Sequence, residues 1–461
     1  MAKNETWSYG RMPEYLWISI ILDYYGSQKG FEKISIINEQ IRKVANELSL
    51  PQLSHILKLS SEKQRIIYSS IKSITCDEIL SPLTLVFTSE KTPIFSECFY
   101  VNNDSIENRI DRLKNVIDKA FSQSSDLSNH TRYCVIGFIA YTGRLHVREE
   151  QSERFSKYQD LSTDTDEYKM ISSEIRAMES SLIKMTDSTD ENYLNFFWDS
   201  ISMMTDCKLI CFDFGKSKLL KGFNQKVYDL LEYLRELYVN VYPLDKKLEI
   251  FTGIITYSYK RLKEIDEHDL YNTIVGRSCI RSLIENYILC KYLISFEKDK
   301  PEIWDDFEYY GIGQIKKIVL AARKNNSREK ESHVFYNYLD ILLNEFRMEE
   351  FIDIDVRGYF DGPSIRSKAE KVDEKELYSL YYDYDSQYEH ALWGAIRESS
   401  MLKCNNSFHQ YHLVPDIEDS QKLKSIYYDC IFVMKKMVSF YATQIEIPDE
   451  IIKGIIEYQD D

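Results

Sequence analysis

The chain has 461 residues, 44% of them hydrophobic and 29% charged, with a formal net charge of −16. That mix is globular and long enough for about three domains of ~150 residues, each able to fold without a disulfide or metal. So acidic a chain excludes a general nucleic-acid binder, because phosphate contacts are made by Lys and Arg, and leaves only a local basic pocket for RNA.

Gly (15) and Pro (9) are scarce, which argues for helices over turn-rich β architectures. The nine cysteines have no disulfide-like spacing and read as reduced thiols of a cytoplasmic protein. Residues 1–12 hold no apolar core of a secretory leader. The longest apolar run, Cys134 to Tyr141, falls far short of the ~20 residues that span a bilayer. The expectation is therefore a cytoplasmic protein with no membrane segment.

In chain order, Leu16, Ile20 and Tyr24 recur at helical spacing after Pro13, and Ile34, Ile37, Ile41 and Val44 mark the next helix. Ser61 with Gln64 resembles a capping box before Ile67, Ile71 and Ile74. Residues 76–103, with Pro82, Pro93 and Val86, predict an irregular crossover or short hairpin. Asp104 with Glu107 opens a helix carried by Ile106, Ile110, Leu113 and Ile117, whereas 134–141 fits a strand or a core helix equally well. Residues 146–187 are charged and Ser-rich, and read as an exposed helical arm or linker broken near Ser162 to Asp166. Ser188 with Glu191 then caps another helix. Strong helical patterns follow at 224–242, 246–265 and 268–296, and again at 374–404, 419–444 and 448–457, with a long loop at 353–371. The organisation expected is mostly α: an N-terminal helical module (1–145) with minor irregular or β content, the arm (146–187), and a C-terminal multi-helix bundle (188–461).

The helix from about Leu270 to Phe296 is the informative one. Arg277, Arg281 and Glu285 fall in a stripe with Ile274, Ile284 and Ile288, and the opposite side is apolar too. A helix apolar all round is normally buried, and buried charge is costly unless paired. Two cations and one anion predict a further acid or an anionic ligand. On a helix over 384–402, Ser386, His390, Trp393 and Arg397 would share one side, with Asp383 and Asp385 just before it. The candidate catalytic set is thus His390 as acid/base, with Arg277, Arg281, Glu285 and Arg397. A register-fixing ion-pair network is the structural reading of the same residues. Glu285→Ala should then cost ~3 kcal/mol by stranding buried arginines. His409 and His412 near Cys404 show no third ligand, so no metal is expected. No cofactor motif occurs.

The segment Arg277-Ser278-Cys279-Ile280-Arg281-Ser282-Leu283-Ile284-Glu285, then Tyr309-Tyr310-Gly311, then Ser386-Gln387-Tyr388-Glu389-His390, resembles a helical domain family of unknown function found in bacteria and archaea, over roughly 225–440. A more distant similarity is to HEPN-type helical domains, which often act as ribonucleases in toxin–antitoxin and anti-phage systems. That similarity implies a stress or defence effector cleaving RNA. HEPN nucleases place a His four to six residues after an Arg, whereas here His390 precedes Arg397 and His409 follows it too far on. Such an activity therefore requires Arg277 or Arg281 to meet His390 across the helix interface. The alternative is a non-catalytic sensor or scaffold acting on a protein partner or a second copy of itself.

Overall fold

The computed structural model describes residues 5–141, 143, 145, 149–183, 190–240, 245–325, 333–346 and 360–459. The chain is mostly α-helical with one small three-stranded sheet. It divides into two compact units. The first holds Met1–Ile210 and Lys403–Val414, and the second Cys211–Leu402 and Pro415–Asp461.

The first unit contains α1 (Met12–Tyr25), α2 (Ser27–Val44), α3 (Leu53–Ile56), α4 (Ser61–Ile74), α5 (Pro93–Phe99), α6 (Ile106–Phe121), α7 (Asp126–Tyr141), α8 (Glu149–Lys157), α9 (Asp166–Ile183) and α10 (Glu191–Ser202). α1 is apolar on every side, so it takes the centre: every residue from Met12 to Leu22 is buried. α2, α6 and α7 pack around it. The run 134–141 is the end of a core helix, since it continues a 16-residue helix opened by Asp126. Residues 76–103 hold no strand. Pro82 sits in a 3₁₀ turn over Ser81–Leu85, and Pro93 occupies the first turn of α5, where a missing N–H costs nothing.

Among its described residues, the charged stretch is not exposed throughout. Tyr168, Ile171, Ile175 and Glu179 of α9 lie on one face and are buried, as is Tyr158. That narrow stripe belongs to the first unit's core. The unit boundary accordingly falls at Ile210, not at 146 or 188. The break near Ser162–Asp166 is present as the turn before α9. Ser188 lies outside the described residues, and Asp190 caps α10.

The second unit contains α11 (Lys221–Asn240), α12 (Lys246–Glu267), α13 (Ile274–Phe296), α14 (Ile303–Asn325), α15 (Tyr336–Phe346), α16 (Ile365–Lys371), α17 (Lys375–Leu377), α18 (Asp383–Glu389), α19 (Trp393–Ser400), α20 (Tyr427–Tyr441) and α21 (Asp449–Ile456). α13 is the axis, packed against α12, α16, α18 and α20. Thr273 caps it by accepting from the Gly276 N–H at 3.0 Å. At Gly276 the helix turns so tightly on the preceding loop that a Cβ would stand 2.1 Å from the Leu270 carbonyl oxygen. A π-helical turn, Tyr378–Tyr382, joins α17 to α18. Of the long loop expected at 353–371, residues 353–359 lie outside the described residues, and 365–371 form α16.

Strands β1 (Leu209–Ile210), β2 (Met401–Cys404) and β3 (Leu413–Pro415) form the sheet in the order β1-β2-β3. β1 runs antiparallel to β2, with Leu209 opposite Cys404 and Ile210 opposite Lys403. Thus 403–414 is an excursion that completes the first unit. Phe408 is fully buried in that unit's core, and Tyr411 packs edge-on to Phe121 at 4.7 Å.

Candidate functional site

One group of buried charge in the second unit lies where α13 meets the π turn, α18 and α20. Arg277 is 6% exposed. Its Nη2 donates to the Lys424 carbonyl at 2.8 Å, and its Nη1 lies 3.9 Å from Asp385 Oδ1. The rings of Tyr384 and Tyr388 stand 5.6 and 5.7 Å from the guanidinium carbon. Among the described residues, Arg277 Nε and Asp385 Oδ1 are buried without a hydrogen bond. Burial pushes the Asp385 carboxyl up to about 7, against the pull of Arg277 and Arg281, and neighbouring Asp429 adds to the rise. The Asp429 carboxyl is raised by burial as well.

One turn along, Arg281 is only half-buried. Its Nε donates to Ser386 Oγ at 3.0 Å, its Nη2 to the Tyr382 hydroxyl at 2.5 Å, and its Nη1 lies 3.5 Å from Glu285 Oε2. The Tyr382 hydroxyl in turn donates to Glu285 Oε2 at 3.1 Å. The π turn sets this up: its extra residue per turn brings buried Tyr382 to the side facing α13. Arg277, Arg281 and Glu285 are therefore brought together with Asp385 and Ser386, as the spacing suggested.

His390 and Arg397 are not part of this cluster. α18 ends at Glu389, and His390 is its C-cap, its N–H bonded to the Ser386 carbonyl at 3.1 Å. Ala391 takes φ +48°, so the chain turns before α19 starts and the helical register across 386–397 is lost. Both side chains are exposed, and His390 forms no side-chain hydrogen bond or ion pair among the described residues. The cation excess also vanishes: Asp385 and Asp429 flank Arg277, and Glu285 pairs with Arg281.

The first unit holds two further constellations. One is a buried triad in which Glu179 pairs with Arg11 and, at 3.3 Å, with Arg132, whose guanidinium lies 3.8 Å from the Trp7 ring centre. The side chains of Glu179 and Arg132 are 0% and 1% exposed.

The other constellation corrects the expectation that His409 and His412, near Cys404, lack the further ligand a metal site needs. Cys207 supplies it, and the four ligand atoms lie within 4.8 Å of one another. Cys207 Sγ is 3.3 Å from His409 Nδ1 and 3.2 Å from His412 Nε2, and Cys404 Sγ is 3.6 Å from His409 Nδ1. No residue near Cys404 in the chain pointed to Cys207. Its partners lie nearly 200 residues on, brought to it by the β1–β2 pairing and by hydrogen bonds from Asn406 and His409 to the segment 202–206.

A family of unknown function (DUF5677) matches residues 250–409. The match spans the Arg277–Glu285 segment, Ser386–His390, Cys404 and His409, and stops short of His412. No curated protein and no solved structure matches the chain. No helix among the described residues is long and apolar enough to cross a membrane.

Proposed function

We propose that the chain is a non-catalytic helical sensor or scaffold that works through contacts with a protein partner. The observation that carries this reading is the internal balance of the α13 cluster. Its arginines are answered by Asp385, Asp429 and Glu285, and its would-be acid/base, His390, stands outside it. A cluster so balanced fixes helix register without offering a phosphate a positive cradle. A surface for a partner exists elsewhere in the unit. An open groove of about 680 Å³ runs between α11 and α12, lined by Tyr228, Leu231, Leu234, Tyr238 and Tyr257, with Lys260 at its rim. Tyr228 and Tyr257 are 40% and 49% exposed. An apolar, tyrosine-lined trough between two helices suits an amphipathic helix.

The second reading is a phosphodiester-cleaving effector of prokaryotic stress or phage defence. One observation favours it: Asp385 is a buried carboxyl raised to about 7 with an unpartnered oxygen, the property of a general acid/base. One experiment separates the two. A photo-crosslinking residue at Tyr257, with the chain expressed in cells, should give a discrete product that the same residue at exposed Tyr381 does not. Total RNA should stay intact throughout. Fragmented RNA, restored by Asp385→Asn or His390→Ala with the far-ultraviolet circular dichroism unchanged, overturns the scaffold reading.

A further inference from the structure

Cys207, Cys404, His409 and His412 have the composition of a closed tetrahedral zinc site, two thiolates and two imidazoles. Zn–S bonds of about 2.3 Å and Zn–N bonds of about 2.0–2.1 Å put tetrahedral ligands roughly 3.3–3.8 Å apart. The separations of 3.2, 3.3 and 3.6 Å are all sulfur–nitrogen pairs, and each lies within about 0.4 Å of the roughly 3.5 Å that tetrahedral bonding sets for such a pair.

Thiol–imidazole hydrogen bonds alone explain the geometry poorly. His409 Nε2 lies 2.9 Å from the carbonyl oxygens of both Ser202 and Thr205. An imidazole nitrogen facing two acceptors carries the hydrogen, so Nδ1 presents a bare lone pair. Two sulfurs, Cys207 and Cys404, approach that one lone pair. It can accept one S–H well, not two. Cys207 also meets His412 Nε2, yet has a single hydrogen to share. The short contacts share hydrogens unevenly, two sulfurs on one nitrogen and two nitrogens on one sulfur, whereas one cation at the centre serves all four ligand atoms alike. The Nε2–carbonyl bonds are the arrangement that orients a metal-ligating histidine.

The backbone is shaped to the same end. Gln410 and Tyr411, the residues between the two histidines, are successive left-handed residues at φ +55° and +53°, and neither is glycine. That fold-back sets the two imidazoles 5.4 Å apart, centre to centre. Strain of this kind is kept where a ligand clamp needs it. Asn406 Nδ2 donates to Thr205 Oγ1 at 2.7 Å and to the Asp206 carbonyl at 3.0 Å, fixing the segment that delivers Cys207. The Cys404 N–H donates to the His412 carbonyl at 2.9 Å, fixing the other pair.

We infer that Cys207, Cys404, His409 and His412 bind one Zn²⁺, a structural clip that fastens the 403–414 excursion to the end of the segment following α10. Binding Zn²⁺ releases the two thiol protons and leaves a neutral centre, Zn²⁺ with two thiolates and two neutral imidazoles. The four protein ligands fill the coordination sphere, so the ion holds structure and activates no water. Closing so long a stretch of chain restricts the unfolded state, which adds to stability.

The test uses the full chain purified without chelators. Elemental analysis should give about one zinc per chain. Replacement by Co²⁺ should give the intense visible bands of a tetrahedral ion with near-ultraviolet thiolate-to-cobalt charge transfer. Cys207→Ser, at an exposed position, should abolish both. Cys211→Ser, four residues along, should change neither. Chelation of the wild type should lower the Tm. A metal-free protein, the weak spectrum of octahedral Co²⁺, or full metal content in Cys207→Ser overturns the inference. So does a Cys207–Cys404 disulfide found by peptide mapping under non-reducing conditions.

Discussion

Arg277 and Asp385 face each other across 3.9 Å with 7% and 5% of their side chains in contact with solvent. The distance is too long for a good hydrogen bond, and Asp385 Oδ1 has no other. The carboxylate is therefore under-compensated, which is why its folded-state value rises to about 7 while the unfolded value stays near 4. A raised acid favours the folded state while protonated. Its contribution is fully present below pH ~4 and is lost as pH climbs through ~7, to the extent of roughly 4 kcal/mol. Asp385→Asn should flatten the pH dependence of the urea midpoint between pH 4.5 and 7.5 relative to wild type. Glu14, buried and also raised to about 7, contributes the same trend to both proteins and cancels in the difference. An unchanged slope in Asp385→Asn would show the carboxyl to be hydrated.

Glu285→Ala should destabilise by about 1 kcal/mol, not the ~3 expected of a fully buried network. The Glu285 and Arg281 side chains are 25% and 21% exposed, and Arg281 keeps Ser386 and Tyr382 after the loss. Tyr382→Phe removes the hydroxyl that both residues share and should cost more, about 2 kcal/mol. Chemical denaturation of the two variants side by side gives the order.

Glu179 is the more dangerous carboxyl to remove. Among the described residues it is the one carboxylate paired with Arg11 and Arg132, and it is 0% exposed. Glu179→Ala leaves two buried cations facing each other and should cost about 3–5 kcal/mol. Thermal melts of this variant should show the largest loss among the single substitutions considered, with Arg132→Met less severe because Trp7 still has an apolar neighbour to pack on.

Gly276→Ala should cost about 3 kcal/mol, since the new methyl meets a backbone oxygen that has no rotamer to escape into. The same substitution at Gly253 of α12, where nothing lies within 4 Å of an added Cβ, should be neutral or slightly stabilising. A melting comparison of the pair isolates the steric term from helix propensity.

Local pattern was readable wherever one helix face was continuous. The stripes of α2 and α4 and the Arg277–Arg281–Glu285 run lie as the spacing implied. Two caps were legible to within a residue, Ser60 and Ser105 doing the work assigned to Ser61 and Asp104, and the cap of α10 fell two residues beyond Ser188, at Asp190. What escaped was the point at which a pattern stops. Nothing in Glu389-His390-Ala391 is a helix breaker, yet the chain turns there through a left-handed alanine, and His390 leaves the face it was assigned. α9 shows the converse case. Its buried side is a narrow stripe of Tyr168, Ile171, Ser172, Ile175 and Glu179, set among charged and Ser residues, and its apolar members decide its placement. The Cys/His cluster was beyond reach for a different reason, because it is created by a strand pairing between distant segments, and no window short enough to scan contains both.

The placement of Phe408 has a consequence for how the molecule is made. The first 210 residues leave the ribosome with their core unplugged, because the aromatic ring that seals it is encoded some way downstream, in residues 403–414. At ordinary elongation rates that segment follows roughly 190 residues later, a delay on the order of 10–40 s. During that interval the nascent N-terminal portion carries an apolar hole and an unpaired strand at Leu209–Ile210. A polypeptide ending at Ile210 should therefore be more prone to aggregate than the 461-residue chain.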